Sequence, residues 1–194
     1  MHLKHITFVT LAAILFFVAC GNGNGGSSEF GQANSINVGN GALTPQTDTQ
    51  TPAQTEPVEG SINHLTFATL DNTAEQTFAA HLNQPLVVNF FAAWCGPCRA
   101  ELPDFEAVYG DLAQHVNFLG ISRDSTAEQA LGLLAETGVS FPTGWDQDGT
   151  LFAEFGLFSM PSTLFVDTDG SVLEQWSGVL SAERLRALIT EHLL

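Results

Sequence analysis

The sequence has 194 residues, of which 44% are hydrophobic, so it can form one domain of ordinary size with a hydrophobic core and flanking segments. Its 5 basic and 21 acidic residues give a formal net charge of −16, which repels nucleic acid phosphates and anionic lipid headgroups. We therefore expect no nucleic acid partner and no attachment to a membrane through charge.

The first 20 residues have the pattern of a secretory leader, with Lys4 followed by an apolar run from Ile6 to Ala19. This run is shorter than the roughly 20 residues that comfortably span a bilayer, which argues against a permanent transmembrane helix. It ends in FVAC, which resembles a bacterial lipobox, in which the cysteine is lipidated and becomes the mature N-terminus. We expect a lipid on Cys20, with an uncleaved signal anchor or a free thiol as alternatives. Either anchor would place the remaining chain outside the cytoplasm.

Residues 21–60 are rich in Gly, Asn, Thr, Gln and Pro and show no hydrophobic period. Such a composition cannot bury enough apolar surface to offset the entropy lost on ordering, so it predicts a disordered tether. A flexible chain of about 40 residues has a root-mean-square span of roughly 35 Å, which lets an attached domain reach neighbours on the membrane surface. We assign residues 61–194 to the folded domain.

From Ser61 onward, apolar segments alternate with turn signals and predict a series of strands and helices. In chain order we first predict strands at 65–70 and 85–92, a helix at 97–114 and a strand at 116–122. A helix at 125–137 follows, opened by an STAE capping box, and then a strand at 141–145 and a short helix at 150–155. The chain continues with two antiparallel strands joined at Asp169 and Gly170 and a helix from Ser181. This order implies an α/β fold in which a central mixed β-sheet is flanked by helices.

Cys95 and Cys98 stand in the sequence WCGPC, where the predicted buried strand leads into a helix. At Cys95 the unpaired N–H groups and the dipole of the helix favour a thiolate and lower the pKa of the thiol. Cys98 lies one turn further, on the same face, where it can resolve a mixed disulfide formed at Cys95. Gly96 gives the loop room, and Pro97 is tolerated in the first turn because its missing N–H would have no partner there. The pattern predicts redox exchange.

Other roles for this cysteine pair meet specific objections. A structural zinc site needs four ligands, but there is no second cysteine pair, and none of the remaining histidines has ligand spacing. Those histidines are His64, His81, His115 and His192. A structural disulfide between such close residues would close almost no loop and add little stability. A thiol peroxidase would carry Thr in place of Ala92, and a copper chaperone would usually have wider cysteine spacing. We expect neither a metal nor another cofactor.

The run from Trp94 to Cys98 matches the active-site signature of the thioredoxin superfamily, and the resemblance covers about residues 62–194. Downstream, MPSTLFVDTDG resembles the segment of that fold in which a cis proline, here Pro161, faces the dithiol. An ordinary trans proline at a strand edge is the alternative. The longer run WCGPCRAELP is similar to the TlpA/ResA-like group of membrane-tethered thiol-disulfide oxidoreductases.

The resemblance also implies roles for residues around the dithiol. Thioredoxins carry a buried Asp where this chain has Asn89, which cannot accept a proton as a carboxylate does. Glu101 would tune the proton affinity of Cys98, or else it is a first-turn acid that complements the helix dipole. Met160 would lend its backbone to an extended substrate strand. Trp94 either packs beside the dithiol and shields it or is a core tryptophan.

Taken as a whole, the resemblance implies an extracytoplasmic, membrane-anchored enzyme that reduces protein disulfides, as in cytochrome c biogenesis. Its electrons would come from a membrane-embedded donor and pass to clients such as apocytochrome c before haem attachment. Oxidation of client thiols would use the same residues, because the direction depends on the reduction potential, with about 30 mV for each tenfold change in the equilibrium. We expect the protein to act as a monomer.

Overall fold

The computed structural model describes residues 60–70 and 73–194. The predicted leader with Cys20 and residues 21–59 of the predicted tether lie outside the described residues. None of the helices in the described ranges has the length and hydrophobicity needed to cross a bilayer.

A central sheet runs through the described domain. It contains β1 (Thr66–Thr69), β2 (Glu75–Thr77), β3 (Leu86–Phe91), β4 (Asn117–Ser122), β5 (Thr143–Trp145), β6 (Ser162–Val166) and β7 (Val172–Ser177). The strand order across the sheet is β2-β1-β5-β4-β3-β6-β7. Because β3 pairs in parallel with β4 and antiparallel with β6, the sheet is mixed, and the predicted fold class is confirmed.

Helices cover the sheet. They are α1 (Gly96–Leu112), α2 (Ala127–Thr137), α3 (Thr150–Glu154) and α4 (Ala182–His192), with two 3-10 turns at Ile62–His64 and Phe78–His81. A Ser side chain caps the start of α4, since Ser181 Oγ accepts a hydrogen bond from Arg184 N, and a left-handed Gly138 ends α2. The predicted helix from Ser181 is therefore confirmed.

The interior strand β3, which lies between β4 and β6, has all six residues buried, because both faces of the sheet are covered. Its alternate side chains enter two separate hydrophobic cores. Val87 and Phe91 pack with residues of α1, α2 and α4, whereas Val88 and Phe90 pack with residues of α3 and the 3-10 turns. This packing fixes the carboxyl end of β3, and α1 begins a few residues later.

The structure differs from the sequence analysis at two places. Strand β2 is absent from the predicted elements because all three of its residues are exposed, and it is held by antiparallel pairing with β1. The capping box at Ser125 is wrong, because α2 begins at Ala127 with Thr126 as its N-cap. The Ser125 carbonyl accepts a hydrogen bond from Gln147 Nε2, outside the helix, which keeps Ser125 out of the first turn.

Candidate active site

Cys95 and Cys98 form a disulfide at the junction of β3 and α1, with their Cα atoms 5.3 Å apart. Cys95 is the N-cap residue of α1, and its Sγ accepts a hydrogen bond from Cys98 N at 3.1 Å. Cys95 is 5% exposed and Cys98 is 0% exposed, as expected for an attacking and a resolving sulfur. Gly96 and Pro97 are exposed in the first turn of the helix.

Both backbone polar groups of Ala93, two residues before Cys95, make hydrogen bonds to side chains. The N–H group of Ala93 donates to both carboxylate oxygens of Asp124, each at 3.0 Å. Its carbonyl accepts a hydrogen bond from Arg99 Nη2 at 3.2 Å. Asp124 is fully buried just after β4, and its carboxylate also accepts a hydrogen bond from Ser122 Oγ at 3.1 Å. These bonds fix the loop that carries Cys95.

Sequence reasoning missed Asp124, because its contact joins residues 31 positions apart. One signal could have found it. Asp124 follows a predicted buried strand that is parallel to the strand before Cys95. The carboxyl ends of parallel neighbours meet at one edge of the sheet, so a polar residue after the second strand lies near the loop after the first.

Glu101 is a buried acid one turn beyond Cys98 on α1. The residue is 1% exposed, its Oε1 accepts a hydrogen bond from Asn89 Nδ2 at 2.8 Å, and its Oε2 accepts one from Leu180 N at 3.0 Å. Burial raises the pKa of Glu101 from its usual 4.5 to about 7, and the charge of Asp104 adds to the increase, while the two hydrogen bonds oppose it. The first turn of α1 contains no acidic residue, so the first-turn alternative for Glu101 is wrong.

Asn89 connects Glu101 to the neighbouring strand. It lies on β3 directly opposite Thr163 of β6, and its Nδ2 is 3.3 Å from Thr163 Oγ1. The other amide atom, Asn89 Oδ1, is buried and has no hydrogen-bond partner. The position that differs from thioredoxins therefore holds a neutral donor to the buried acid.

Pro161 follows a cis peptide bond with Met160, as the resemblance implied, so the trans alternative is wrong. It is buried directly before β6, and its carbonyl accepts a hydrogen bond from Gly178 N at 2.9 Å. Because Ser162 pairs with Phe90 near the carboxyl end of β3, Pro161 lies at the end of the sheet from which the dithiol loop emerges.

An open, aromatic-rich surface lies beside the dithiol. Trp94 is 67% exposed and Phe158 is 68% exposed, so the alternative of Trp94 as a core residue is wrong. Both side chains line a cleft of about 290 Å³, whose lining residues are Trp94, Arg123, Phe152, Phe158, Ser159 and Met160. We refer to these residues as the aromatic cleft. Within residues 60–70 and 73–194, no three His, Cys, Asp or Glu side chains are placed to hold a metal ion.

Curated relatives of this chain carry names from thiol-disulfide chemistry. This chain is 28% identical over 107 residues to the thiol-disulfide oxidoreductase ResA of Oceanobacillus iheyensis, and the alignment covers 55% of this chain and 56% of that protein. This chain is 33% identical over 98 residues to the thiol:disulfide interchange protein HelX of Rhodobacter capsulatus, and the alignment covers 50% of this chain and 54% of that protein. The chain spans about half the length of the curated relatives it matches.

Solved structures share the fold. DsbF of MTB, solved in mixed oxidised and reduced forms, aligns with a TM-score of 0.62 at 26% identity, over 68% of this chain and 97% of that one. A thiol:disulfide interchange protein DsbE from Chlorobium tepidum aligns with a TM-score of 0.61 at 23% identity, over 68% and 95% of the two chains. These alignments confirm the thioredoxin-like fold. Because the sequence profile of the AhpC/TSA family matches residues 63–175, more than half of the sequence, the chain belongs to the AhpC/TSA family.

Proposed function

We propose that this protein is a thiol-disulfide oxidoreductase of the TlpA/ResA-like kind, anchored to the outer side of the cell membrane, and that it reduces protein disulfides in processes such as cytochrome c maturation. The observation that carries the proposal is the Cys95–Cys98 disulfide, with Cys95 at the N-cap of α1 and Cys98 fully buried behind it. The names of the curated relatives support the same chemistry.

In the reduced protein, the Cys95 thiolate attacks one sulfur of a client disulfide. That disulfide bond breaks, and the first client sulfur leaves as a thiolate with the bonding electron pair. Cys98 then loses its proton and attacks Cys95 Sγ, which releases the second client thiolate and leaves the Cys95–Cys98 disulfide. Two electrons pass from the protein to the client, and the client thiolates take up protons according to their pKa values.

Glu101 supports the second attack by accepting the proton that Cys98 loses. The two residues are three positions apart on α1 and therefore share a face of the helix. A carboxyl group with a pKa of about 7 can take up and release a proton near neutral pH, which is the property that this step needs.

Clients bind through the aromatic cleft and the backbone beside Pro161. Trp94 and Phe158 offer exposed aromatic surface, and Met160 belongs to the same cleft. The Met160 backbone pairs with an extended client segment, so recognition depends little on the client's sequence.

The location is inferred from the leader, and the electron donor from the resemblance to the TlpA/ResA-like group. The lipobox-like end at Cys20 and the following flexible composition favour a lipid-anchored domain outside the cytoplasm. Each turnover leaves the protein oxidised, so a donor of two electrons must reduce it again, and the resemblance to the TlpA/ResA-like group implies a membrane-embedded donor. Trapping free thiols in intact cells determines the direction of electron transfer. Mainly reduced Cys95 and Cys98 indicate a reductase, and a mainly oxidised pair indicates a protein-thiol oxidase.

The activity is tested by reduction of insulin disulfides with dithiothreitol as the recycling reductant. The wild-type protein should accelerate insulin precipitation, and Cys95→Ser should abolish the acceleration. Cys20→Ser is the matched cysteine control: it should retain the activity in solution while losing acyl mass and membrane attachment. Equal rates for wild type and Cys95→Ser would contradict the proposed function.

A further inference from the structure

One buried atom near the active site, Asn89 Oδ1, makes no hydrogen bond. The residue is enclosed in the core between β3 and α1. Buried acceptors of this kind are costly to leave unpaired. The amide nitrogen of the same side chain, Nδ2, donates hydrogen bonds to Glu101 and to Thr163, whereas the amide oxygen accepts none.

The contacts of Glu101 determine where its proton must lie. Glu101 Oε2 accepts a hydrogen bond from Leu180 N, a backbone group that can only donate. We place the proton of the protonated carboxyl group on Oε1, because its partner Asn89 has an amide oxygen that can accept a hydrogen bond there, whereas the Leu180 N–H group offers Oε2 no acceptor. In the observed orientation two donors, Nδ2 and the new O–H group, would then point at each other.

We propose that Asn89 is a positioning residue for the Glu101 proton, and that its amide group rotates when Glu101 changes its protonation state. With ionised Glu101, Nδ2 donates to Oε1, as observed. With protonated Glu101, the amide turns by half a rotation and Oδ1 accepts the bond from the O–H group. The orientation of an amide follows its hydrogen-bond partners in this way.

Thr163 makes the two orientations equivalent in number of hydrogen bonds. Its hydroxyl accepts from Asn89 Nδ2 in the observed state, and it can rotate to donate to Oδ1 in the turned state. Each orientation therefore makes two hydrogen bonds and leaves one amide atom idle. The number of hydrogen bonds therefore favours neither orientation, and the proton on Glu101 decides between them.

The groups that face the Glu101 carboxyl group allow the Asn89 amide to respond to the Glu101 proton. Asp104 is the charged neighbour on α1, and burial together with Asp104 raises the pKa of Glu101 to about 7. Cys98 has no titratable thiol in the oxidised protein, because it is bonded to Cys95. The groups that other elements bring to its carboxylate, Asn89 from β3 and the Leu180 N–H group, do not titrate. A proton can then enter or leave Glu101 without losing a hydrogen bond. Its use in resolving a client disulfide rests on the proposed function, whereas the rotation itself does not.

The rotation is tested by NMR titration of the oxidised full chain between pH 5 and 9. We expect the ¹⁵N and ¹H resonances of the Asn89 side-chain amide to shift with the same midpoint as Glu101 Cδ. Nuclear Overhauser contacts from the amide protons to the Glu101 γ-methylene should be strong above the midpoint and weak below it. Gln175 is an internal control, because its buried amide also has an unpartnered oxygen and donates to the Phe155 carbonyl, so its resonances should not follow this midpoint.

Asn89→Leu provides a second measurement. If Asn89 were a fixed donor, its loss would raise the midpoint of Glu101 by about 1 to 2 pH units, the effect of losing a charge-assisted hydrogen bond. A rotating amide stabilises both forms, so its loss should raise the midpoint by less than about 0.5 pH unit.

Amide contacts that stay the same on both sides of the midpoint would overturn the inference, and so would a Glu101 that does not titrate in this range. Both results come from the wild-type protein, so they do not depend on the folding of the variant. Either could occur in a protein that still reduces insulin. Conversely, inactivity toward insulin with a rotating amide would contradict only the proposed function.

Discussion

Asn89 Nδ2 lies 2.8 Å from Glu101 Oε1, although the two residues belong to different elements and are 12 positions apart. The bond connects the acid of α1 to the interior strand β3 and holds it in the core, one turn from Cys98. Burial then keeps the pKa of Glu101 near 7 instead of near 4.5. The protein thus carries a neutral amide before the dithiol and a titrating acid after it.

Replacing Glu101 with Gln should remove a pH dependence from the exchange reaction. In the wild type, the rate at which Cys98 releases a trapped client should rise as pH increases through about 7, because ionised Glu101 accepts the Cys98 proton. At pH 8 the Glu101→Gln variant should be slower by about 100-fold, a typical loss for a general base. Rapid-quench kinetics of mixed-disulfide decay measure this rate.

Asp111→Asn is the control for that measurement, since Asp111 is an exposed acid on the same helix that pairs with Arg186. It should reproduce the wild-type profile. The role of Glu101 would be refuted by a Glu101→Gln profile with the same inflection and rate as the control.

Glu101 should also make the protein less stable as pH rises. Its pKa is about 7 in the folded state against a usual 4.5, so between these values the folded state binds more protons than the unfolded state. The stabilisation from this group is complete below about pH 4.5 and is lost by about pH 7, and it amounts to about 3 kcal/mol. Urea denaturation at pH 4.5 and pH 8 measures the free energy of unfolding.

Glu101→Gln should lose this contribution, so the difference between wild type and variant should change by about 3 kcal/mol across the range. Contributions of other groups cancel in the comparison. A constant difference between the two proteins from pH 4.5 to pH 8 would show that the folded state does not raise the pKa of Glu101.

Asp124→Ala should loosen the loop before Cys95. The substitution leaves the Ala93 N–H group without its carboxylate acceptor, which should cost about 1 to 3 kcal/mol in the free energy of unfolding. Asp124→Asn keeps an acceptor oxygen and should recover part of the loss. We also expect slower attack of Cys95 on a client in the Ala variant. If the Ala and Asn variants were equally stable and equally fast, the hydrogen bonds to Ala93 would have no such role.

The sequence predicts most of the fold because its core elements have strong local patterns. The continuous apolar run that becomes β3 and the regular apolar face of α1 each determine an element without distant information. Cys95 and Cys98 are found through a short motif and its spacing, and Pro161 through the resemblance of MPSTLFVDTDG to the cis-proline segment of the thioredoxin fold. Strand β2 has no such pattern, since its exposed residues form a strand only because β1 offers an edge for pairing.

The contacts that define the environment of the site could not be predicted from local patterns. Glu101 accepts a bond from Leu180 N, 79 positions away, and only the folded sheet brings these residues together. Its burial decides its pKa, and burial is a tertiary property. Trp94 shows the same difficulty, because its apolar character allowed a core position although the fold leaves it exposed.

Trp94→Ala should weaken client binding without weakening the fold. Because the side chain is 67% exposed, the free energy of unfolding should change by no more than about 0.5 kcal/mol. The KM for reduction of a protein disulfide should increase, whereas the rate with a small disulfide such as dithiobis(nitrobenzoate) should stay the same. Leu131→Ala, an exposed apolar residue on α2 outside the aromatic cleft, should change neither. Equal KM values for wild type and Trp94→Ala would exclude a role for Trp94 in client binding.

The central claim is that Cys95 attacks the client and Cys98 resolves the mixed disulfide. It is tested most directly by trapping the mixed disulfide in a Cys20→Ser background, where only these two of the three cysteines remain. Reduced Cys98→Ser protein, mixed with insulin and mapped by mass spectrometry, should accumulate a disulfide between Cys95 and an insulin cysteine, while the Cys95→Ser protein should accumulate none. Trapping at Cys98 in the Cys95→Ser protein, with none at Cys95 in the Cys98→Ser protein, would contradict the account.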